Sequence, residues 1–528
     1  MSQKRIQLIV TSDTHGHWLD RPNNPNASLL NTASCIQDLK SEDADIQLTI
    51  DLGDFIQGSS FATYLSQENK DGKVLARAMN AIGYDYQVIG NHEFNFGTDY
   101  RNNIVEELDA TILNANMINE ATNQPFLGQA YDIIEREGVR IGIVGVTTSY
   151  IPNWELPENY KGLRFDDAFE SAKHYVDIVR PQVDLLILAY HGGFERDLDT
   201  NEALEALTKE NQGSQMLNGI EGVDVLLTGH QHRELNQLVD QTYVIQPGSI
   251  GELVGELVID LNGDQQIISM QGTLHETASY PADSELGQLM EPELSQGGEW
   301  LHTVLGEAPL DQTATDPLQA RLNGHPFIEM LNQIQLDETG ADFSAVALVN
   351  DAFVDFHGEI TNEILLKSYP FYNLISKVNI SGADLYDVME FNLEYFVLDE
   401  DQSAVQVNED YISPKPKHYN YDLFSGITTI VDMTQPAGQR VKAIINQHTG
   451  QLINPHKSYS VALSQYRSVG GGNFKWYTKD KIESISTIDI ASLIKVALKE
   501  YTADKWERIN SDYSHVIWQP ALGTNTNK

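Results

Sequence analysis

Seven side chains of the kinds that bind metal ions occur in five short blocks, each where a predicted strand ends. They are Asp13 and His15 in TSDTHGH, Asp54 in DLGDFIQGS, Asn91 in IGNHEFNFG, His191 in LAYHGG, and His230 and His232 in LLTGHQHRE. Carboxylate, amide and imidazole groups in this number suit two divalent cations held close together. Such a pair of cations supports in-line displacement at phosphorus.

The spacing inside the blocks predicts that the side chains converge. Asp13 and His15 are two residues apart at the end of an apolar strand, and period-2 geometry places both on one side. His230 and His232 repeat this spacing, and the Asp54 carboxylate could bridge two ions. The alternative, unrelated loop and core residues, would explain one D-x-H motif but not five ordered blocks. We therefore predict one metal site built from all five.

Short apolar strands alternate with helical segments through the first half, which predicts an α/β domain with helices packed on its sheets. The strands are RIQLIVTS, DIQLTIDL, YQVIGN, TILNAN, RIGIVGVT, DLLILAY and DVLLTG, and SLLNTASCIQDLK and DDAFESAKHYVDIV are typical of helices. We predict a catalytic domain over residues 1–282, a linker helix over 283–303 that belongs to neither core, and an α+β domain over 304–528. In that second domain, Ser381 is the predicted N-cap of a helix.

The composition and net charge of the chain limit the classes of partner that it could bind. The chain has 34 basic and 76 acidic residues, and a net charge of −42 argues against a nucleic-acid polymer or an anionic membrane. A small anionic substrate stays open, because bound cations would reverse the local field. Cys35 is the only cysteine, no apolar run approaches the length of a membrane span, and Asp13 comes too early for a removable signal peptide. We expect a cytoplasmic location and leave the oligomeric state open.

The blocks D-x-H, G-D, G-N-H-E, H-G-G and G-H-x-H, in this order, resemble the calcineurin-like metallophosphoesterases. Residues 304–528 resemble the C-terminal domain of bacterial 5′-nucleotidases, and above all of the 2′,3′-cyclic-nucleotide 2′-phosphodiesterase/3′-nucleotidases. The shared stretches are GNHEFNFGTDY, NANMIN, YNYDLFSGI followed by VDMTQP, and SQYRSVGGG. The resemblance implies a four-layer αββα catalytic domain, a linker helix, and an α+β C-terminal domain that binds the nucleoside.

The resemblance also implies a role for each ligand. One ion would be held by Asp13, His15 and His232, the other by Asn91, His191 and His230, with Asp54 bridging them. The ions could be Mn²⁺, Zn²⁺, Co²⁺ or Fe²⁺, since all of these accept such ligands.

His92 and Asn95 are the implied catalytic pair. His92 would stabilise the transition state or protonate the leaving oxygen. Typical 5′-nucleotidases read GNHEFD, whereas this chain has Asn95 at the aspartate position, so the amide would orient the His92 ring without adding a charge. The cyclic phosphodiesterase relatives also read GNHEFN, which favours that subgroup.

In the C-terminal domain the resemblance places a base between Phe371 in YPFYNLI and Tyr466 in SQYRSVGGG, with Asn373 and Gly426 close by. The arginine that holds phosphate in 5′-nucleotidases is replaced by Asp355. Arg467 is the nearest alternative cation, although it could equally pair with a structural carboxylate.

Together these patterns predict a two-metal phosphohydrolase that opens 2′,3′-cyclic nucleotides and then releases the nucleoside from the 3′-nucleotide. A 5′-nucleotidase or nucleotide-sugar hydrolase is the alternative enzyme. A non-catalytic nucleotide- or metal-binding protein is the alternative of another class.

Overall fold

The chain divides into two compact units, Met1–Trp300 and Leu301–Lys528. The computed structural model describes residues 3–22, 24–205, 207–311, 316–371, 373–399, 401, 404–412, 416–519 and 523–524. No helix in this described part has the length and apolar character that crossing a bilayer requires.

The first unit contains the elements that position the five blocks. Its strands are β1 (Lys4–Thr11), β2 (Ile46–Asp51), β3 (Tyr86–Val88), β4 (Thr111–Leu113), β5 (Met117–Asn119), β6 (Gln124–Pro125), β7 (Tyr131–Arg136), β8 (Val139–Thr147), β9 (Leu163–Phe165), β10 (Leu185–His191), β11 (Val225–Thr228), β12 (Glu234–Val239), β13 (Thr242–Pro247), β14 (Leu253–Leu261) and β15 (Ile267–Glu276). Its helices are α1 (Leu29–Lys40), α2 (Ser60–Tyr64), α3 (Lys73–Ile82), α4 (Thr98–Val105), α5 (Ile151–Trp154), α6 (Ala168–Val179), α7 (Gly213–Gly219) and α8 (Ser284–Leu301).

Two six-stranded sheets pack face to face in this unit. Their strand orders are β15-β14-β1-β2-β3-β4 and β12-β13-β11-β10-β8-β7. The core between them joins residues such as Leu8 and Ile50 of the first sheet to Ile187 and Leu227 of the second. The helices α1, α3 and α8 cover the outer face of the first sheet, and α6 and α7 cover that of the second. This confirms the predicted four-layer αββα domain.

Parallel pairing aligns the strand ends that carry the blocks. In the first sheet β1, β2 and β3 are parallel neighbours, so Thr11 lies beside Asp51, and Asp51 beside Gln87. In the second sheet β10 and β11 are parallel, with Tyr190 beside Thr228. The carboxyl ends of parallel strands therefore emerge at one edge of each sheet, which is where α/β proteins bind their ligands.

The helix that sequence analysis assigned to a linker is part of the first unit. Helix α8 runs without a break from Ser284 to Leu301. Its Leu286 and Met290 are buried in the cluster under α1 and α3. Gln296 accepts a hydrogen bond from the Tyr64 hydroxyl at 3.0 Å. Leu286, Met290 and Leu294 recur at helical spacing and lie in or against this cluster, which gives the helix one face for this core.

Met290→Ala is expected to lower the free energy of unfolding of the first unit by about 2–5 kcal/mol, because the Met290 side chain is fully buried. Leu289→Ala on the same helix is the matched control, since Leu289 is 42% exposed, and it is expected to cost much less. Urea denaturation of both variants measures the difference. Equal losses would show that α8 contributes no core face.

The second unit is an α+β domain, as predicted. Its strands are β16 (Val304–Ala308), β17 (Phe343–Ala347), β18 (Gly358–Thr361), β19 (Ile375–Ser381), β20 (Phe396–Leu398), β21 (Ala404–Val407), β22 (Asp422–Ser425), β23 (Ile427–Val431), β24 (Val441–Asn446), β25 (Ser458–Ser464), β26 (Ile482–Ile485), β27 (Val516–Trp518) and β28 (Gly523–Thr524). Its helices are α9 (Pro317–Asn323), α10 (Pro326–Thr339), α11 (Asn362–Ser368), α12 (Gly382–Asn392), α13 (Gln465–Ser468), α14 (Ile490–Glu500) and α15 (Ala503–Ser511).

The main sheet of this unit has the strand order β22-β17-β25-β19-β26. One apolar cluster packs α10 and α14 against it, and a second packs α12. Helix α12 begins at the predicted N-cap, because the Ser381 side chain accepts a hydrogen bond from the Asp384 backbone N–H.

Candidate metal centre and substrate region

The seven predicted ligands gather at the carboxyl ends of the parallel strands of the first unit. Two sets of side chains each bring one possible ligand atom per residue within 4.8 Å of one another: Asp13, His15 and His232 in one set, and Asp54, His191 and His230 in the other. Asn91 adjoins the second set, with its Oδ1 3.1 Å from His191 Nε2. Each set could hold one divalent cation.

The convergence depends on the backbone and not on the pleat of a strand. Five of the seven residues have positive φ: Asp13 and His15 at 52°, Asp54 at 59°, His230 at 68° and His232 at 58°. The predicted reason, two side chains on one face of a strand, is wrong, because β1 ends at Thr11 and β11 at Thr228. Left-handed backbone is unfavourable for these residue types and occurs where the surrounding structure enforces it, often at functional sites.

Glycines beside the ligands leave the space that the site needs. A Cβ atom at Gly90 would lie 2.2 Å from Asp54 Oδ1 and 2.6 Å from His191 Cε1. At Gly229 it would lie 2.1 Å from Ser12 Oγ and 2.8 Å from Asp13 Oδ2. The glycines of the G-N-H-E and G-H-x-H blocks are therefore required by close approach.

Backbone carbonyls orient two of the imidazole rings. His15 Nδ1 lies 2.7 Å from the Gln57 carbonyl and His191 Nδ1 lies 2.6 Å from the Leu52 carbonyl, so in both rings Nδ1 is the donor. With a cation bound, the Nε2 atom of each ring would present its lone pair to the site. His15 Nε2 lies 3.0 Å from His232 Nε2, an approach that suits two nitrogens sharing one cation.

Burial and the neighbouring charges shift the pKa values of four of the predicted ligands. Burial raises the pKa of Asp13. At Asp54 burial acts in the same direction, but His191 and His92 outweigh it and hold the pKa well below its usual range. Burial, together with His92, lowers the pKa of His15 to about 3. At His191 burial favours the neutral ring, but Asp54 and Asp13 outweigh it and raise the pKa to about 10. Buried carboxylates of this kind require a compensating positive charge.

The surroundings of Asp54 Oδ2 indicate whether the site suits bound cations. Asp54 Oδ2 is buried without a hydrogen bond, although it lies 3.2 Å from His191 Nε2. A buried carboxylate oxygen left unpaired is costly, and a shared metal ion would satisfy it. The donors are oxygen and imidazole nitrogen, which suit first-row divalent ions. The residues therefore fit two cations, one for each set, with Asp54 in the second set.

Glu93 holds the loop that carries Asp54. The Glu93 side chain is fully buried, and its carboxylate accepts hydrogen bonds from the backbone N–H groups of Asp54 at 2.9 Å, Phe55 at 2.8 Å and Gly90 at 2.7 Å. It ties the ends of β2 and β3 together beside the metal site. Sequence analysis did not assign Glu93 a role, although an acid inside the apolar IGNHEF motif was a usable signal.

His92 and Asn95 are brought to the same place. The His92 ring centroid lies 5.1 Å from that of His15, and the His92 backbone N–H donates to Asp54 Oδ1 at 2.7 Å. His92 Nδ1 lies 2.5 Å from Asn95 Oδ1, and Asn95 Nδ2 donates to Glu155. The amide therefore orients the ring as the sequence predicted, but a carboxylate stands directly behind it.

Three more neighbours of the centre were not found from the sequence. The Trp154 ring centroid lies 5.5 Å from that of His230, and Glu210 Oε1 lies 3.3 Å from His230 Nε2. Glu155 reaches the site through Asn95. All three follow strands by several residues and belong to no motif, so no sequence pattern marked them.

Each of the two units matches the model of a known protein family. Residues 6–234 match the family model for calcineurin-like phosphoesterases, and residues 305–479 match that for the 5′-nucleotidase C-terminal domain. The chain is 30% identical, with a TM-score of 0.88, to a Staphylococcus aureus structure provisionally named a 5′-nucleotidase and solved with α-ketoglutarate; the match covers 97% of this chain and 99% of that one. The chain belongs to the 5′-nucleotidase family of calcineurin-like phosphoesterases. Membership of this family indicates a metal-dependent phosphoric ester hydrolase.

Other members of this phosphoesterase family are similar at lower identity. The 2′,3′-cyclic-nucleotide 2′-phosphodiesterase/3′-nucleotidase of Salmonella typhimurium is 24% identical, over 88% of this chain and 81% of its own length. The trifunctional nucleotide phosphoesterase YfkN of Bacillus subtilis is 24% identical over 92% of this chain. This phosphoesterase spans only 37% of the length of YfkN.

In the second unit of this phosphoesterase, the two predicted base-stacking rings lie at one end of the main sheet. Strands β19 and β25 pair with Ile375 beside Ser464; Phe371 precedes this point and Tyr466 follows it. Phe371 is 45% exposed and Tyr466 is 37% exposed, so both rings are available to a ligand. Asn373 belongs to the same loop as Phe371, and its backbone carbonyl accepts a hydrogen bond from the Ile490 N–H at 2.9 Å.

Gly426 does not lie beside those rings. A Cβ atom at Gly426 would meet the Asp342 carbonyl at 2.8 Å, next to the start of β17. Strand β17 runs parallel to β25 with Phe343 beside Val461, which places this turn at the opposite end of the sheet from Tyr466. Gly426 has φ of 86° in the turn between β22 and β23, and this backbone conformation accounts for the glycine.

Arg467 is a structural cation. It is 4% exposed, and its Nε and Nη2 lie 2.9 and 3.0 Å from the two carboxylate oxygens of Asp422. Its remaining donors bind the Gly471 and Tyr419 carbonyls, and its guanidinium stacks 4.0 Å from the Phe474 ring centroid. These contacts favour the alternative of a structural carboxylate partner over the predicted phosphate-binding role. Asp355 is exposed in a turn and supplies no replacement cation.

Arg467→Met is expected to lower the free energy of unfolding of the second unit by about 3–5 kcal/mol, because it leaves the buried Asp422 carboxylate unpaired. Arg508→Met is the matched control, since Arg508 is exposed on α15. Thermal and urea denaturation measure the difference. A variant of unchanged stability with a raised KM for nucleotides would restore the phosphate-binding role.

Proposed function

We propose that this phosphoesterase hydrolyses small nucleotides with two metal ions, opening 2′,3′-cyclic nucleotides to 3′-nucleotides and then releasing the nucleoside. The observation that carries the proposal is the pair of ligand sets around the unpaired Asp54 oxygen. In it, Asp13, His15 and His232 would hold one ion, Asn91, His191 and His230 would hold the other, and Asp54 would be the ligand that both share.

Different residues are proposed to have different roles in the reaction. Two divalent cations bound in these sets would supply an activated water and neutralise charge on the phosphoryl oxygens. His92 in its doubly protonated form donates the Nε2 proton to the leaving ribose oxygen and keeps its Nδ1 hydrogen, which Asn95 Oδ1 accepts at 2.5 Å. Glu93 keeps Asp54 in place through hydrogen bonds to the backbone on both sides of the site. The metal could be Mn²⁺, Zn²⁺, Co²⁺ or Fe²⁺.

The second unit is proposed to bind the nucleoside. Phe371 and Tyr466 are exposed aromatic side chains at one end of a sheet, and stacking on them would accept any base. Asn373 could add a polar contact. The cyclic-nucleotide preference is supported by Asn95, by the exposed Asp355 in place of a phosphate-binding arginine, and by the similarity to the Salmonella enzyme.

A 5′-nucleotidase is the second candidate, because the S. aureus structure of 30% identity carries that name. Phosphate and nucleoside release from 2′,3′-cyclic AMP, 3′-AMP and 5′-AMP, measured side by side with Mn²⁺, separates the two. Preference for the first two substrates supports the proposal, and preference for 5′-AMP supports the alternative. No hydrolysis and no bound metal after metal-supplemented expression would indicate a binding protein. The cytoplasmic location stays a prediction, which cell fractionation tests.

A further inference from the structure

One short segment of the first unit reaches both sides of the metal centre. Helix α5 follows β8, and its last residue, Trp154, packs its ring 5.5 Å from that of His230. The next residue, Glu155, accepts a hydrogen bond from Asn95 Nδ2. The metal chemistry does not use Glu155, and no motif marks it. Among the described residues, hydrogen bonds connect it to the site through Asn95 and His92.

The hydrogen bonds have one consistent direction. Burial raises the pKa of the Glu155 carboxyl, but hydrogen bonds from Asn159 and Asn95 favour its ionised form, which only accepts hydrogen bonds. The Asn95 NH₂ group then faces Glu155 and the Asn95 oxygen faces His92. His92 Nδ1 must then carry a hydrogen to donate to that oxygen at 2.5 Å. The Nε2 atom of His92 is left for the reacting phosphate ester.

Glu155 is itself held in place. Its Oε2 accepts a hydrogen bond from Asn159 Nδ2 at 2.8 Å, and the Asn159 carbonyl accepts from Arg101 Nη1 at 3.2 Å. The Arg101 side chain is buried and its guanidinium lies 4.5 Å from the Phe94 ring centroid. These contacts fix the position of the Glu155 carboxylate and connect it to the core of the first unit.

We propose that Glu155 is a positioning residue that fixes the Asn95 amide and, through it, keeps a hydrogen on His92 Nδ1, so that the ring gains and loses its catalytic proton at Nε2. Without Glu155, the Asn95 side chain could rotate by a half turn and offer its NH₂ group to the ring, which would reverse the tautomer at almost no steric cost. An aspartate at position 95 would need no such partner, because either of its oxygens accepts. Asn95 and Glu155 thus act as one unit. This inference rests on the proposed role of His92.

Three variants test this coupling, and the double variant among them moves the carboxylate from position 155 to position 95. Glu155→Ala is expected to lower kcat for 3′-AMP about 10–100-fold with little change in KM, the usual effect of losing an outer-shell partner. Its effect on 4-nitrophenyl phosphate is expected to be smaller, because that leaving group needs no proton. Asn95→Asp alone places two carboxylates in contact and is also expected to be impaired. The double variant Asn95→Asp, Glu155→Gln is expected to recover most of the activity.

Glu158→Gln is the matched control, since Glu158 is exposed in the same segment. Independent losses that multiply in the double variant, or an equal loss on both substrates in Glu155→Ala, would overturn the inference.

A spectroscopic readout separates this inference from the proposed function. The ¹⁵N shifts of the His92 ring, assigned with His92→Asn and recorded without Mn²⁺ at mildly alkaline pH, report the tautomer of the neutral ring. Wild type is expected to show the Nδ1–H form and Glu155→Ala a mixture. The same tautomer in both proteins would refute the role of Glu155 even if the enzyme is active. A change of tautomer in a protein that hydrolyses no phosphate ester would retain the positioning and refute the proposed function.

Discussion

Replacing Asp54 with asparagine is expected to lower kcat/KM for nucleotide substrates by about three orders of magnitude, or ~4 kcal/mol of transition-state stabilisation. Asp54 is buried in the second ligand set beside His191, and its Oδ2 has no hydrogen-bond partner among the described residues. An amide is uncharged and offers one oxygen, so it can neither bridge two ions nor balance their charge. We expect the variant to bind less metal.

Metal analysis of the purified Asp54→Asn protein, together with steady-state kinetics at saturating Mn²⁺, measures both effects. Asp43→Asn is the matched control, because Asp43 is exposed in the turn before β2. It is expected to keep wild-type metal content and activity. Full activity with two bound metal ions in Asp54→Asn would remove the bridging role, and with it the two-metal mechanism.

The second large effect is expected at His92. His92→Asn removes a proton donor that is held 2.5 Å from Asn95 but is not itself a proposed metal ligand. We expect kcat for 3′-AMP to fall about 10²–10⁴-fold while the metal content stays unchanged. The loss on 4-nitrophenyl phosphate is expected to be much smaller, since nitrophenolate leaves without a proton.

The metal content distinguishes this result from that of Asp54→Asn, because the two variants fail for different reasons. His174→Asn is the control, since His174 is an exposed histidine on α6. If His92→Asn loses metal as well as activity, His92 supports the centre structurally. Equal losses on the two substrates would assign His92 to phosphate binding and exclude it as the proton donor.

Much of the first unit could be predicted from the sequence, because its signals are local. Buried parallel strands such as β1 and β10 are continuous apolar runs, and the ligand blocks follow them at once. The same local rule failed for the segment 283–303, where position between two domains suggested a linker. The buried face of α8 becomes visible only when α1 and α3 are placed beside it.

The substrate region shows the limit of motif matching. Phe371 and Tyr466 lie at one end of a sheet. Phe371 precedes β19 and Tyr466 follows β25, and these two strand ends pair with each other. Gly426 and Arg467 come from equally good motif matches, but their roles depend on strand direction and on a buried partner. Because β17 pairs with β25 in parallel, Gly426 lies away from Phe371 and Tyr466, and Arg467 forms an ion pair with the buried Asp422. Neither relation has a sequence signature.

The donor types, their order and the strand ends that carry them can be predicted from the sequence alone, because these properties are encoded in neighbouring residues. The folded structure was needed to show which donors lie within reach of one another, that left-handed backbone and not a strand face aims them, and that Glu155 stands behind Asn95. Asn95 and Glu155 are separated by 60 residues in the chain, and contacts of that kind arise from packing alone.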